Sequence, residues 1–447
     1  MNALAAILLA LGATAGSSPA SPPLPAGPAG TPALQGMPRA VTLSLEQALA
    51  ELDRKNPTLE QARARAAEAL GVVRQAAAPL LPALAASGSY TRNSAEAVFL
   101  RPTGVGTFEP IYIQPLQAWN GAASLRVPLV VPDSWFSLSS SRDAALSAAA
   151  ATDATRLTVR AALLQTAWLA WAGEEIVAAS ERAVAAARSQ AESARRQVQV
   201  GTATPLSVYQ AETSATRRES DLVQALSETS RARIAVGVLL GRSEPVRIAM
   251  PAPQPPAASD IEGLTREALD QRPELKAQAL LVSSYEKQAS AALWRIAPQI
   301  SASGSAFAQS VPFPTGQKEG WQVTVDLTWT LYDGGWRYGR ARQAEAQADQ
   351  ARAADTQTRL QVVQEVQNSA RDVEVARTRL GLARKERDTA AEAAASARRG
   401  FEEGIASSLD VLSANEVLFA AEVQVADAGA RLGGALAALD RAVGRLP

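Results

Sequence analysis

The sequence predicts a mainly α-helical, internally duplicated chain with a small transmembrane β part: long antiparallel coiled-coil helices, plus four strands that complete a barrel only together with other chains. Three observations predict it. Residues 322–331 alternate without a break, Val323, Val325, Leu327, Trp329 and Leu331 apolar and Gln322, Thr324, Asp326, Thr328 and Thr330 polar between them. That period of two belongs to a strand with one oily and one wet face, and its length suits a tilted membrane-crossing strand of about 9–11 residues. The second observation is a heptad seam in the helices, and the third is that the whole order of elements occurs twice.

In chain order, residues 3–13 are a short apolar run followed by small residues and a Pro-rich stretch. This reads as a signal peptide over 1–16, with an n-region lacking Lys and Arg, and a lead over 17–40. The first repeat spans 41–250. It opens with a short helix at 43–52. A second helix runs from Asn56-Pro57, a cap followed by proline at the first helical position, to about Leu81, where Pro82 stops it. Strand-like stretches at 83–92 and 121–131 flank a connection over about 93–120. Helices over 134–200 and 206–240 follow, turning at Gly201. A Pro-rich linker, 251–259, leads to the second repeat, 260–447.

There Arg272-Pro273-Glu274-Leu275 mirrors Asn56-Pro57-Thr58-Leu59, and Ser303-Gly304-Ser305 mirrors Ser87-Gly88-Ser89 at the same offset. Leu327 and Leu331 mirror Leu125 and Leu129 at a shorter one, as do Gly404, Leu409 and Val411 for Gly201, Leu206 and Val208. The difference falls between the paired strands, where the second connection (about 309–320) is the shorter; loops absorb insertions and the elements they join do not.

In the last helix Leu418, Ala421, Val425, Ala428, Leu432, Ala435 and Leu439 recur at alternating spacings of three and four. Val363, Val366, Ala370, Val373 and Leu380 do so in the helix before, broken at Arg377. Small residues in such a seam let antiparallel helices approach closely. The helix over 134–200 would be about 100 Å long. Aromatics avoid these helices: six of the eight tryptophans lie in the strand regions and their margins, and Trp135, Trp294 and Trp336 stand where membrane-interface girdles sit.

Composition excludes whole classes of function. Lys+Arg and Asp+Glu both number 44, so no excess of charge points to nucleic acid. There is no cysteine and no histidine, which removes disulfides, thiolate or zinc sites and His-based acid–base catalysis. No cofactor or metal is expected. Asp333-Gly334-Gly335 is too short for a phosphate loop, no nucleophile or base clusters in a motif, and the chain is not expected to be an enzyme.

Four strands cannot close a barrel, and an open edge in lipid leaves backbone groups unpaired at several kcal/mol each. Eight strands from two chains would be filled by side chains, whereas twelve from three leave a lumen. A shared barrel continued by a tube of helices is a conduit through an outer membrane into the periplasm. The alternative is a periplasmic coiled-coil adaptor or scaffold without a pore, for which a lipid-facing strand has no use.

Four segments, LSLEQALAELDRKNPTLEQARA (43–64), VGTATPLSVYQAE (200–212), LTWTLYDGGWRYGRARQAEAQ (327–347) and EGIASSLDVLSANEVL (403–418), resemble the TolC-type outer-membrane channels of efflux pumps and type I secretion. The resemblance covers about Val41 to Leu439. It implies a homotrimer with a twelve-stranded barrel and an α-helical periplasmic tunnel, docked to a periplasmic adaptor protein and an inner-membrane transporter. By position it implies that Val200, Gly201, Thr202 and Leu206, with Glu403, Gly404 and Ile405, form tips that meet the adaptor. Leu409, Asp410 and Ser413 match the pore constriction. Asp410 also suits the first turn of the last helix on electrostatic grounds alone. Some members carry a second acid where Ser413 stands, an acid and a basic latch partner where Ser207 and Ala406 stand, and an acylated N-terminal cysteine. The lock of the closed state therefore differs here.

Overall fold

The computed structural model describes residues 40–201, 204–253, 260–313 and 316–445. The expected signal peptide, nearly all of the lead, most of the linker and Thr202 lie outside them. The chain opens on β1 (Val41–Ser44) and α1 (Leu45–Lys55). Ser44 caps α1 reciprocally: its Oγ accepts from Gln47 N at 3.2 Å, and Ser44 N donates to Gln47 Oε1 at 3.1 Å. α2 (Pro57–Ala77) starts at Asn56, whose Oδ1 accepts from Leu59 N at 3.0 Å. A short 3₁₀ turn, Ala78–Leu80, follows and is capped by Leu81, just before Pro82.

Then come β2 (Ala83–Arg92), β3 (Ala97–Gly104), β4 (Thr107–Gln114) and β5 (Gln117–Val130). The first long connection is therefore not a plain loop. It carries a separate antiparallel hairpin, β3–β4, and β5 begins four residues earlier than the sequence suggested. The two long helices α3 (Pro132–Gln199) and α4 (Pro205–Leu239) follow, then β6 (Val246–Ala249). β6 pairs parallel with β1, a small sheet the sequence reading did not include. The second repeat supplies α5 (Ile261–Gln271), α6 (Pro273–Trp294), β7 (Gln299–Gln309), β8 (Glu319–Thr328), α7 (Trp336–Glu402) and α8 (Ser408–Val443). The second repeat keeps the order of helix pair, strand pair and long helices, without counterparts of β1, β6 or the β3–β4 hairpin.

The four expected strands form one antiparallel sheet in the order β2-β5-β7-β8, with β2 and β8 as open edges. The helices pack side by side in a layer. α3 and α7, each about 100 Å long, run its whole length. Beside the sheet the order is α2-α3-α6-α7; farther away it is α4-α3-α8-α7. Thus α2 and α6 are continued along the layer by α4 and α8.

Small side chains make the close approaches. Ser140 on α3 and Ser284 on α6 are both buried, and each hydroxyl donates to the other's carbonyl, at 2.8 and 2.9 Å. On α8 the seam residues Ala421, Ala428, Leu432 and Leu439 are buried, the last three packed with Val373, Leu380 and Ala383 of α7. At mid-height α1, β1 and β6 bury Leu52, Leu163, Val236, Leu240 and Val246 in one core. Each such side chain stabilises the fold by about 1.5–3 kcal/mol. Glu51 sits at its rim between Arg242 (2.7 Å) and Lys55 (2.9 Å), and the guanidinium holds its carboxyl down at about 2.

Candidate conduit wall and tips

In an antiparallel pair, directly opposed residues share a face. The register therefore sorts the whole sheet. One face carries Leu84, Ala86, Gly88 and Tyr90 of β2, then Trp119, Gly121, Ala123, Leu125 and Val127 of β5. It continues with Ile300, Ala302, Gly304, Ala306 and Ala308 of β7, and Trp321, Val323, Val325 and Leu327 of β8. No charged or hydrogen-bonding aliphatic side chain interrupts it between its rows of aromatics. The other face carries Ser87, Ser89, Asn120, Ser124, Arg126, Ser301, Ser303, Ser305, Gln322, Thr324 and Asp326. Ser303 Oγ donates to Asp326 Oδ2 at 3.4 Å across it.

Val323, Val325 and Leu327 lie on the apolar face and are about two-thirds exposed. Trp329 and Leu331 lie past the last ladder pair, Gln299 with Thr328. The strand is displaced three residues towards its start from the stretch of strict alternation, because its antiparallel partner β7 begins only at Gln299. The Trp329 indole N–H donates to Ile296 O at 3.1 Å, which anchors the ring at the junction with the helices.

All four strands meet helices at one end of the sheet and both hairpin loops lie at the other. Aromatics mark each end. Tyr90, Trp119 and Trp321 sit at the loop end of the apolar face; Trp135, Trp294, Trp329, Tyr332 and Trp336 cluster at the helix end, all about half or more exposed. Phe136 stacks on Trp294 at 5.9 Å and the Arg295 guanidinium lies 5.2 Å from the Trp336 ring centroid.

The far end of the helical layer carries two tips. In each, a glycine with positive φ ends the long helix: Gly201 at 80° and Gly404 at 77°, the left-handed position that glycine takes at helix ends. Gly201 N donates to Val198 O at 3.1 Å, and Ile405 N to Gly400 O at 2.8 Å. Val200, Leu206, Ile405 and Leu409 are all more than three-fifths exposed there, and Glu403 is exposed too.

α8 opens with a capping box that the sequence analysis did not include, although Ser407 three residues before Asp410 is its signature. Ser407 Oγ and N donate to Asp410 Oδ2 at 2.7 and 2.8 Å, and Asp410 N donates to Ser407 Oγ at 3.2 Å. These bonds hold the Asp410 carboxyl below its ordinary value. Leu409, Ser413 and Val417 form an exposed stripe along the following turns, so Leu409, Asp410 and Ser413 share one unpartnered side of α8.

A clasp of ion pairs joins the two helical hairpins. Arg218 of α4 donates to Glu416 of α8 at 3.2 Å, and its guanidinium lies 4.6 Å from the Phe419 centroid. Arg217 and Arg182 add pairs to Glu416 (3.4 Å) and Glu422 (3.1 Å). No spacing rule links residues about 200 positions apart, so this clasp is not readable from one sequence. Among the described residues there is no acidic cluster with metal-ligand geometry, and no helix long and apolar enough to cross a membrane.

The sequence matches the family model described as outer membrane efflux protein over residues 47–242 and 264–445. No curated protein matches it at a significant level. Among solved structures it is similar to the outer membrane protein VceC from Vibrio cholerae, at 19% identity over 90% of this chain and 96% of that one, TM-score 0.74. It is similar to the Campylobacter jejuni CmeC outer membrane channel, at 17% identity over 90% and 85%, TM-score 0.73. The open state of the Neisseria gonorrhoeae MtrE outer membrane channel is likewise similar, at 18% identity over 90% and 89%, TM-score 0.73. At these identities the likeness is one of fold.

Proposed function

The chain belongs to the outer membrane efflux protein family, and from that premise we propose that three copies of its four-stranded sheet close one twelve-stranded barrel whose helical layers continue as a tunnel. The observation that carries this reading is the coincidence of open edges. β2, α2 and α4 lie along one side of the chain, β8 and α7 along the other, so sheet and helical layer are unfinished at the same two margins. Joining one margin to the opposite margin of the next copy satisfies both at once. Such head-to-tail contacts make a ring when the rotation closes. Three copies leave a water-filled lumen, lined by the serine-rich face, while the apolar face meets outer-membrane lipid between its aromatic girdles.

The protein then works as a passive conduit. Cargo enters at the periplasmic tips and leaves past the sheet, with no bond made or broken. The tips at Val200, Gly201, Leu206, Glu403, Gly404 and Ile405 supply exposed apolar and backbone surface for a periplasmic adaptor protein, which would bring an inner-membrane transporter. Leu409, Asp410 and Ser413 face the axis where the tunnel narrows. Three leucines there make a constriction that sheds water, and three carboxylates a ring that favours cations.

Fractionation tests the reading. The protein should appear in the outer-membrane fraction and migrate as a trimer without heating, collapsing to monomer when boiled. A soluble periplasmic monomer would instead favour the scaffold without a pore.

A further inference from the structure

One aromatic residue stands on the otherwise largely polar lumen-side face. Phe307 of β7 lies on the same face as Ser301, Ser303 and Ser305, opposite Ala122 on one side and Gly320 on the other. Its ring lies across Gly320: a Cβ added there would stand 2.6 Å from the Phe307 Cζ. Gly320 is thus bare where the ring needs room. A second ring completes the feature. Phe313, in the connection between β7 and β8, meets Phe307 edge to face, centroids 5.5 Å apart and planes at 82°, a geometry aromatic pairs favour.

Hydrogen bonds tie down the described residues on either side of Phe313. Phe313 N donates to Gln317 O at 2.9 Å, and Gly316 N donates to Phe313 O at 2.7 Å with Gly316 at φ 83°. Ser310 anchors its start to β5: Ser310 N donates to Trp119 O, and Trp119 N to Ser310 Oγ, both at 2.9 Å. Phe313 is therefore folded back onto the lumen-side face at the loop end of the sheet, the end farthest from the helical tips.

We propose that Phe307 and Phe313 form an aromatic collar at the outer mouth of the barrel, a second restriction that sets the size of hydrophilic solute able to pass between the outside and the lumen. The proposal rests on the three-copy barrel described above. Closure brings three such ring pairs to one level, narrowing the mouth with apolar surface that water and polar solutes wet poorly. The collar acts as a sieve independent of the periplasmic constriction, and it opposes entry of large polar molecules while that constriction is open.

The chain contains no cysteine, so a single introduced thiol reports on the lumen alone. Ser303→Cys, midway along β7 on the lumen-side face, would be probed on whole cells with a small charged methanethiosulfonate and a 5 kDa polyethylene-glycol maleimide. The small reagent is expected to label it and the large one to be excluded. Adding Phe313→Ser should raise labelling by the large reagent at least tenfold. Phe313→Trp should preserve exclusion, which controls for a disturbed loop. Equal labelling by the large reagent with both phenylalanines present would overturn the collar while leaving the barrel intact. No labelling by either reagent, even with Phe313→Ser, would instead overturn the lumen assignment on which the collar depends.

Discussion

At Leu327 and Thr328 two adjacent residues of one strand are expected to behave oppositely. Leu327 lies on the face with Val325 and Val323, and Thr328 on the face with Asp326. A charge facing lipid costs roughly 2–4 kcal/mol at the membrane midplane and less towards the interface, where Leu327 stands two residues before Trp329, whereas one facing water costs little. Leu327→Arg should therefore deplete the protein from the outer membrane, while Thr328→Arg assembles at normal yield; quantitative blotting of membrane fractions measures both. At the tip, Asp410 caps α8 and is proposed to line the constriction, and the two roles can be separated. Its carboxyl is held down by the bonds from Ser407. A depressed value means that the capping stability is fully present above the ordinary carboxylate range and is lost as pH falls through the lowered one. Asp410→Asn keeps an acceptor for Ser407 but removes the charge, so it should weaken cation preference in single-channel recordings with trimer yield unchanged. Ser407→Ala should do the reverse, destabilising the start of α8 by about 1 kcal/mol with selectivity kept.

At the scale of elements, the crossing of α3 and α8 depends on bare backbone. A Cβ at Gly433 would lie 2.2 Å from the Trp168 ring, and one at Gly429 2.8 Å from the Trp171 ring. The neighbouring Gly434 meets nothing closer than 4.0 Å. Gly433→Leu forces the helices apart, and overpacking of this kind costs typically about 1–3 kcal/mol; trimer melting temperature should fall clearly. Gly434→Ala should be neutral or stabilising by up to about 1 kcal/mol, since alanine favours the helix. Elements were also where the sequence was most and least legible. The heptad seam and the strand at Ala83–Arg92 were readable because period and stop signals agree along ten residues or more. The β3–β4 hairpin was not: Val98, Phe99, Leu100, Phe108 and Tyr112 put apolar residues on both faces, which hides the period of two. β1 and β6 are four residues each and stand about 200 positions apart, too short and too distant for any local pattern.

At the scale of the molecule, the duplication was legible because the repeats keep their order even where their chemistry has diverged. Asn56 caps α2 through its side chain, whereas Arg272, in the matching place before α6, makes no cap. It is instead buried between Glu274 (3.0 Å) and Glu365 (2.7 Å). Which margins stay open was not legible, since that depends on strand order and helix packing rather than on any residue type. Those margins are the core of the account, and oxidative cross-linking across them tests it most directly. In the cysteine-free chain, Ser87→Cys on β2 would be paired with a thiol placed in turn at Gln322, Thr324 and Asp326 on β8, all on one face. At the matching register, oxidation in the membrane should yield a ladder of monomer, dimer and trimer that stops at three. Intact monomers at every register, or a ladder running on past three, would contradict a closed ring of three chains.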